Sequence, residues 1–186
     1  MRLILSIIIF LSFGELSAQE LKCLDFEFYN EYRDVIGIQS SSETSAELKS
    51  DSLQIIVNTN SLAEFPKWSI YKRKGINNGF KVTLVNNTTK DFNLANLDGS
   101  IIIRRQAYHK GKWTYVKSYR KNTGPWCGNS YFHDAIMESG KVLTYVAPCL
   151  NGDIKVKFRF VAFLKSEKTT IYSNEFKGYI NKHLVE

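Results

Sequence analysis

The chain has 186 residues, with ten Tyr and twelve Phe but only three Pro, and a formal net charge of +7. This composition excludes a disordered or low-complexity protein and is ample for one buried core. The charge is uneven: residues 19–51 carry three basic and eight acidic side chains, whereas residues 52–186 carry 21 basic and nine acidic ones. Such asymmetry fits a basic binding face, an acidic strap packed on it, or a merely solvated surface.

Arg2 precedes the apolar run 3–13, and Leu16-Ser17-Ala18 offers a small-residue exit before Gln19. That is the charged n-region, short h-region and cleavage site of a secretory signal peptide. Residues 1–18 are therefore expected to be removed, leaving a secreted or periplasmic protein, with the cell surface as a further location. The run is shorter than the roughly 20 apolar residues that span a bilayer, so no transmembrane segment is expected after cleavage. Residues 19–51 read as an acidic N-terminal strand followed by a polar Ser/Thr-rich loop. Residues 52–186 read as a basic body, the whole of 19–186 making one domain.

Period-two patterning recurs along the chain. Leu24, Phe26 and Phe28 alternate with polar residues in a first strand, and Ser40 to Ser45 form a polar loop. Strands are expected at 53–57, 68–71 and 80–85, the last two flanking Asn77-Asn78-Gly79 as a hairpin turn. Asp98-Gly99 opens a strand over 100–108, and His109-Lys110-Gly111-Lys112 turns it into a second over 113–119. Residues 131–138 are read as a single helical turn, followed by a strand over 141–147. Ile154, Val156, Phe158 and Phe160 alternate with Lys155, Lys157 and Arg159, an antiparallel strand wet on one side. Two further strands, at 169–172 and 176–180, end the chain. About eight to ten strands at roughly 8–12-residue spacing with little helix predict an all-β antiparallel sandwich, immunoglobulin-like in pattern. The inter-sheet Cys, core Trp, Cys spacing of antibody domains is missing.

Of the three cysteines, Cys127 and Cys149 lie in loop-like sequence on either side of one strand. A disulfide between them is expected, closing a loop of roughly 20 residues worth on the order of 3 kcal/mol. Cys23 is left over, free or paired between chains. Lys22 before it argues against lipid attachment.

Cys127-Gly128-Asn129-Ser130, Pro148-Cys149 and Tyr172-Ser173-Asn174-Glu175-Phe176 together resemble uncharacterised bacterial secreted immunoglobulin-like β-sandwich proteins. The resemblance covers residues 80–181 and implies a fold and an address but no activity. In a bacterial host the overlapping acceptors Asn86 and Asn87 are turn residues, not glycosylation sites.

Chemistry is sparsely provided for. His133 and Asp134, with Glu138, are the one local acid–base group, and a hydrolase using them is the alternative to a non-enzymatic protein. A Cys127/His133 site would lose its nucleophile to the expected disulfide. No zinc or calcium spacing and no phosphate loop occur, so neither metal nor cofactor is expected. The stronger signal is basic and aromatic interleaving on one hairpin: Arg104, Arg105, Lys110, Lys112, Trp113, Tyr115 and Lys117. The simplest expectation makes these rings core and the cations a wet rim. The sharper one makes them a binding face for an anionic glycan, an envelope polymer or another envelope protein. Nucleic acid is not expected in that location.

Overall fold

The computed structural model describes residues 21–24, 34–38, 49–97, 100–116 and 132–185. The expected signal segment, most of the first expected strand, the Ser/Thr-rich loop, Lys117, Cys127 and the side chain of His133 lie outside the described residues. Twelve strands are described: β1 (Ile36–Ile38), β2 (Leu53–Glu64), β3 (Asn78–Asn86), β4 (Phe92–Leu97), β5 (Ser100–Ile101), β6 (Ile103–His109), β7 (Lys112–Tyr115), β8 (Phe132–Met137), β9 (Val142–Ala147), β10 (Ile154–Leu164), β11 (Thr169–Tyr172) and β12 (Phe176–Ile180). One helical turn, α1 (Ile70–Arg73), joins β2 to β3, and a short 3-10 turn at Lys182–Leu184 follows β12.

The strands form two antiparallel sheets, as the alternation predicts. The smaller runs β1-β9-β3-β2, and the larger is an eight-stranded sheet. Its spine is β10, which pairs β6 over 157–162 and meets β4 at Leu164 on one side. On the other side it pairs β12 over 154–158 and β11 over 161–164. Hairpin partner β7 extends β6, while β5 and β8 flank β4. Val57, Val82 and Leu84 of the small sheet share one core with Leu94, Ile103, Phe158 and Phe160 of the large one. The two-residue parity of β10 explains this: its apolar set faces inward and its cationic set faces water.

Turn chemistry decides where the sequence reading holds. Lys110 and Gly111 have φ of 49° and 78°, the pair of positive angles that a tight β6–β7 hairpin requires. The strand expected at 68–71 is instead α1. Ser69 caps it, its hydroxyl oxygen accepting from the Lys72 N–H at 3.1 Å, and the buried Tyr71 anchors it. Asn78-Gly79 consequently begins β3 rather than turning a hairpin. A Cβ on Gly79 would run into the carbonyl of Ala147 on β9, so glycine here serves close approach of two backbones. The helical turn expected over 131–138 is also corrected. Residues 132–137 pair with β4 in unbroken register from Phe92↔Met137 to Leu97↔Phe132, a case of ladder pairing overriding local preference.

The two sheets meet differently at their two seams. At the β2 edge, the Asn174 side chain accepts from the Val57 N–H at 2.7 Å and donates to the Val57 carbonyl at 3.0 Å. That amide stands in for a neighbouring strand. At the β1 edge the sheets part around a cleft of about 360 Å³, with Ile38, Ile101, Ile136 and Leu143 among its walls.

Candidate functional site

The outer face of the large sheet gathers four exposed tyrosines and a group of cationic side chains. Cross-strand register sets Trp113 beside Tyr108 and Tyr115 beside Gln106, between β7 and β6. The same rows continue onto β10, where Tyr108 faces Lys157, Gln106 faces Arg159, and Arg104 faces Val161. Beyond β10, Val161 is opposite Tyr172, Lys157 opposite Lys177 and Lys155 opposite Tyr179. Tyr108, Tyr115, Tyr172 and Tyr179 are 42, 41, 49 and 51% exposed. They are not core residues, so the simplest sequence expectation fails. Exposed rings clustered on one sheet face call for an explanation in a way that scattered ones do not.

The cations are stacked on these rings. The Arg104 guanidinium lies 4.4 Å from the Tyr115 ring centroid. Arg159 lies between two rings, 4.2 Å from Trp113 and 3.9 Å from Tyr172, and its Nε donates to Gln106 Oε1 at 2.8 Å. Each such contact contributes roughly 0.5–1 kcal/mol when exposed; together they fix where the guanidinium sits. Lys155, Lys157 and Lys177 add charge, and among the described residues it is Lys157 that has a carboxylate partner, Glu175 at 2.9 Å.

Among the hairpin residues singled out from sequence, the structure brings Arg104, Trp113 and Tyr115 onto this face. Lys112 alternates with Trp113 and so belongs to the opposite side of β7, and Lys110 occupies the hairpin turn. Arg105 is a correction. It is 1% exposed, inside the sandwich, because neighbours on one strand must face opposite ways. It shares the inward parity of Ile103 and Ala107, a signal present in the sequence and overridden by its charge. Lys155, Lys157 and Arg159 were legible only as wet strand residues and Tyr172 only as a strand residue, since the β6–β10 and β10–β11 registers that add them to the face are not local.

Inside the core, the Arg105 guanidinium lies 5.5 and 5.0 Å from the Phe158 and Phe160 ring centroids and donates from Nη2 to the Pro148 carbonyl at 2.6 Å. Its backbone N–H donates to the buried carboxylate of Asp34. Burial pushes the Asp34 carboxyl up to about 7, against the opposing pull of the Arg105 charge. Burial likewise lowers Arg105 and, with the Asp34 charge, raises Tyr71. Among the described residues, Asp34 Oδ1, Arg105 Nε and the Tyr71 hydroxyl have no hydrogen-bond partner. The cluster ties the N-terminal segment to the large sheet.

The same segment is tied a second time by a disulfide, which corrects the expected Cys127–Cys149 bond. Cys149 is bonded to Cys23, with Cα atoms 4.7 Å apart; Cys127 lies outside the described residues. Leu24 then donates to the Cys149 carbonyl and accepts from Asn151, both at 3.0 Å, so the bond joins two backbones already aligned by a parallel bridge between Leu24 and Leu150.

The proposed acid–base group is not assembled by a helix. Asp134, on strand β8, is ion-paired with Lys165, and Glu138 with Lys141. Asn86, first of the two acceptor asparagines, is fully buried, its amide donating to the carbonyls of Lys90 and Met137 at 2.7 and 2.9 Å. Among the described residues no three His, Cys, Asp or Glu side chains gather, and no helix is long and apolar enough to cross a membrane. No protein-family model matches this sequence, and a search of curated proteins finds no relative.

Proposed function

We propose that this is a non-enzymatic binding protein of the bacterial cell envelope, exported by residues 1–18, that holds an anionic glycan on the outer face of its large sheet. Its place among secreted immunoglobulin-like β-sandwich proteins belongs to the same proposal. The observation that carries it is the shared face: Arg104, Lys155, Lys157, Arg159 and Lys177 project among exposed tyrosines with Glu175 the carboxylate beside them. A solvated surface needs charge of either sign but not rings held in water. Cations attract an acidic polymer, and exposed rings give its sugar units an apolar surface to lie on. The Cys23–Cys149 bond supports an oxidising compartment.

The test is retention on a heparin column. Lys155, Lys157 and Lys177 changed together to Glu should move elution to markedly lower salt while melting temperature stays within a few degrees, because all three are solvated lysines on strand faces. Unchanged elution of that variant would overturn the reading.

A further inference from the structure

We infer that Arg159 is the group that reads the ligand on this face, and that what it reads is a carboxylate of an acidic sugar. The inference rests on the glycan-binding reading and narrows it. A guanidinium has two edges that can each present two parallel N–H donors to an oxyanion. On Arg159 the edge containing Nε is already engaged, since Nε donates to Gln106 Oε1 at 2.8 Å. Gln106 is 8% exposed and lies directly across the β6–β10 ladder from Arg159, so the acceptor is itself fixed. The Trp113 and Tyr172 rings, 4.2 and 3.9 Å away, limit rotation of the plane. What remains is the terminal pair of nitrogens, and among the described residues no carboxylate is paired with it.

Neither of its neighbours offers the same geometry. Arg104 is stacked on one ring, and Lys157 is matched to Glu175. Lysines are point charges that attract any polyanion, whereas a planar fork held still matches two coplanar oxygens. Holding it before the ligand arrives removes most of the ordering cost of binding. A uronic-acid unit supplies that carboxylate, with an apolar ring face to set against the flanking aromatic edges.

Three chains serve as probes for the full-length secreted protein in affinity electrophoresis: polygalacturonate, its fully methyl-esterified form, and dextran sulfate. Arg159→Lys keeps the charge and removes the fork. Lys155→Gln removes one charge outside the stack. Gln106→Leu releases Nε and leaves Arg159 in place, which keeps the test decisive if the lysine variant folds poorly. The expected result is that polygalacturonate is held and the esterified chain is not. Arg159→Lys and Gln106→Leu should each weaken polygalacturonate binding by about tenfold or more, as expected for charge-assisted hydrogen bonds, and Lys155→Gln by much less. Equal losses for Arg159→Lys and Lys155→Gln would overturn the role of Arg159 and leave the polyanion reading standing. Tighter binding of dextran sulfate, with the same loss in Arg159→Lys, would overturn the carboxylate assignment. If the wild-type protein holds none of the three chains, both readings fall.

Discussion

Asp34 is an acid placed where its charge is poorly supported. Burial pushes its carboxyl up to about 7 from an ordinary value of 3.8. Between those values the folded state holds a proton that the unfolded chain has released, so the stability that Asp34 contributes is fully present below about pH 4 and is lost as pH rises through about 7. The loss should amount to roughly a few kcal/mol. Urea titrations at intervals from pH 4 to 8 measure it, and Asp34→Asn should flatten the profile, since asparagine still accepts from the Arg105 N–H but cannot ionise. Equal slopes in both proteins would remove Asp34 as the cause. Arg105→Ala takes a different toll: it leaves Asp34 buried without its cation and opens space between Phe158 and Phe160. A destabilisation of about 3–5 kcal/mol is expected, read from chemical denaturation.

The elements show which signals the sequence carries. Long alternating strands such as β10 and the Lys110-Gly111 hairpin were legible, because parity and positive φ are local properties. Strand β8 and helix α1 were not. Residues 132–137 become a strand by pairing with β4, forty residues earlier in sequence, while Ser69 turns a strand-like run into a helix with a single hydroxyl. The candidate face was half legible for the same reason: Arg104, Trp113 and Tyr115 belong to one hairpin, but Arg159 and Tyr172 join them through non-local register. The disulfide was misassigned because nearness in sequence favoured Cys127, whereas Leu24 is aligned with Leu150 by a bridge that no local pattern announces. Linking residues 126 apart is worth about 5 kcal/mol on the chain-entropy model. Cys23→Ser and Cys149→Ser should therefore lower the melting temperature alike, and Cys127→Ser should not. Non-reducing peptide mapping should recover a single Cys23–Cys149 species.

On the scale of the whole molecule, the acidic N-terminal segment and the basic body are not simply strap and face. Asp34 enters the core and β1 pairs with β9 of the small sheet, so the described part of the segment does not cover the cationic surface. Deleting residues 19–51 should unfold the protein rather than bare a binding site, which circular dichroism and loss of a cooperative melt would show. Retention of the deleted form on heparin with an intact melt would contradict this. The face itself should obey bulk electrostatics apart from Arg159: exposed charges are screened within about 10 Å at 0.1 M salt. Retention of the wild-type protein on a polyanion should accordingly fall steadily with ionic strength, and the triple lysine variant should show a shallower salt dependence.

The 126-residue span between Cys23 and Cys149 also sets a timetable. A ribosome adding about 5–20 residues per second needs on the order of ten seconds to go from one to the other. During that interval Cys23 has no correct partner, and Cys127 is made before Cys149. Oxidation by order of appearance would therefore join Cys23 to the wrong thiol. The β1–β9 ladder and the backbone bridge between Leu24 and Leu150 can form only once residues 142–150 exist, so the pairing that aligns Cys23 with Cys149 comes late in synthesis. The partner of a segment made early is thus set by backbone made more than a hundred residues later.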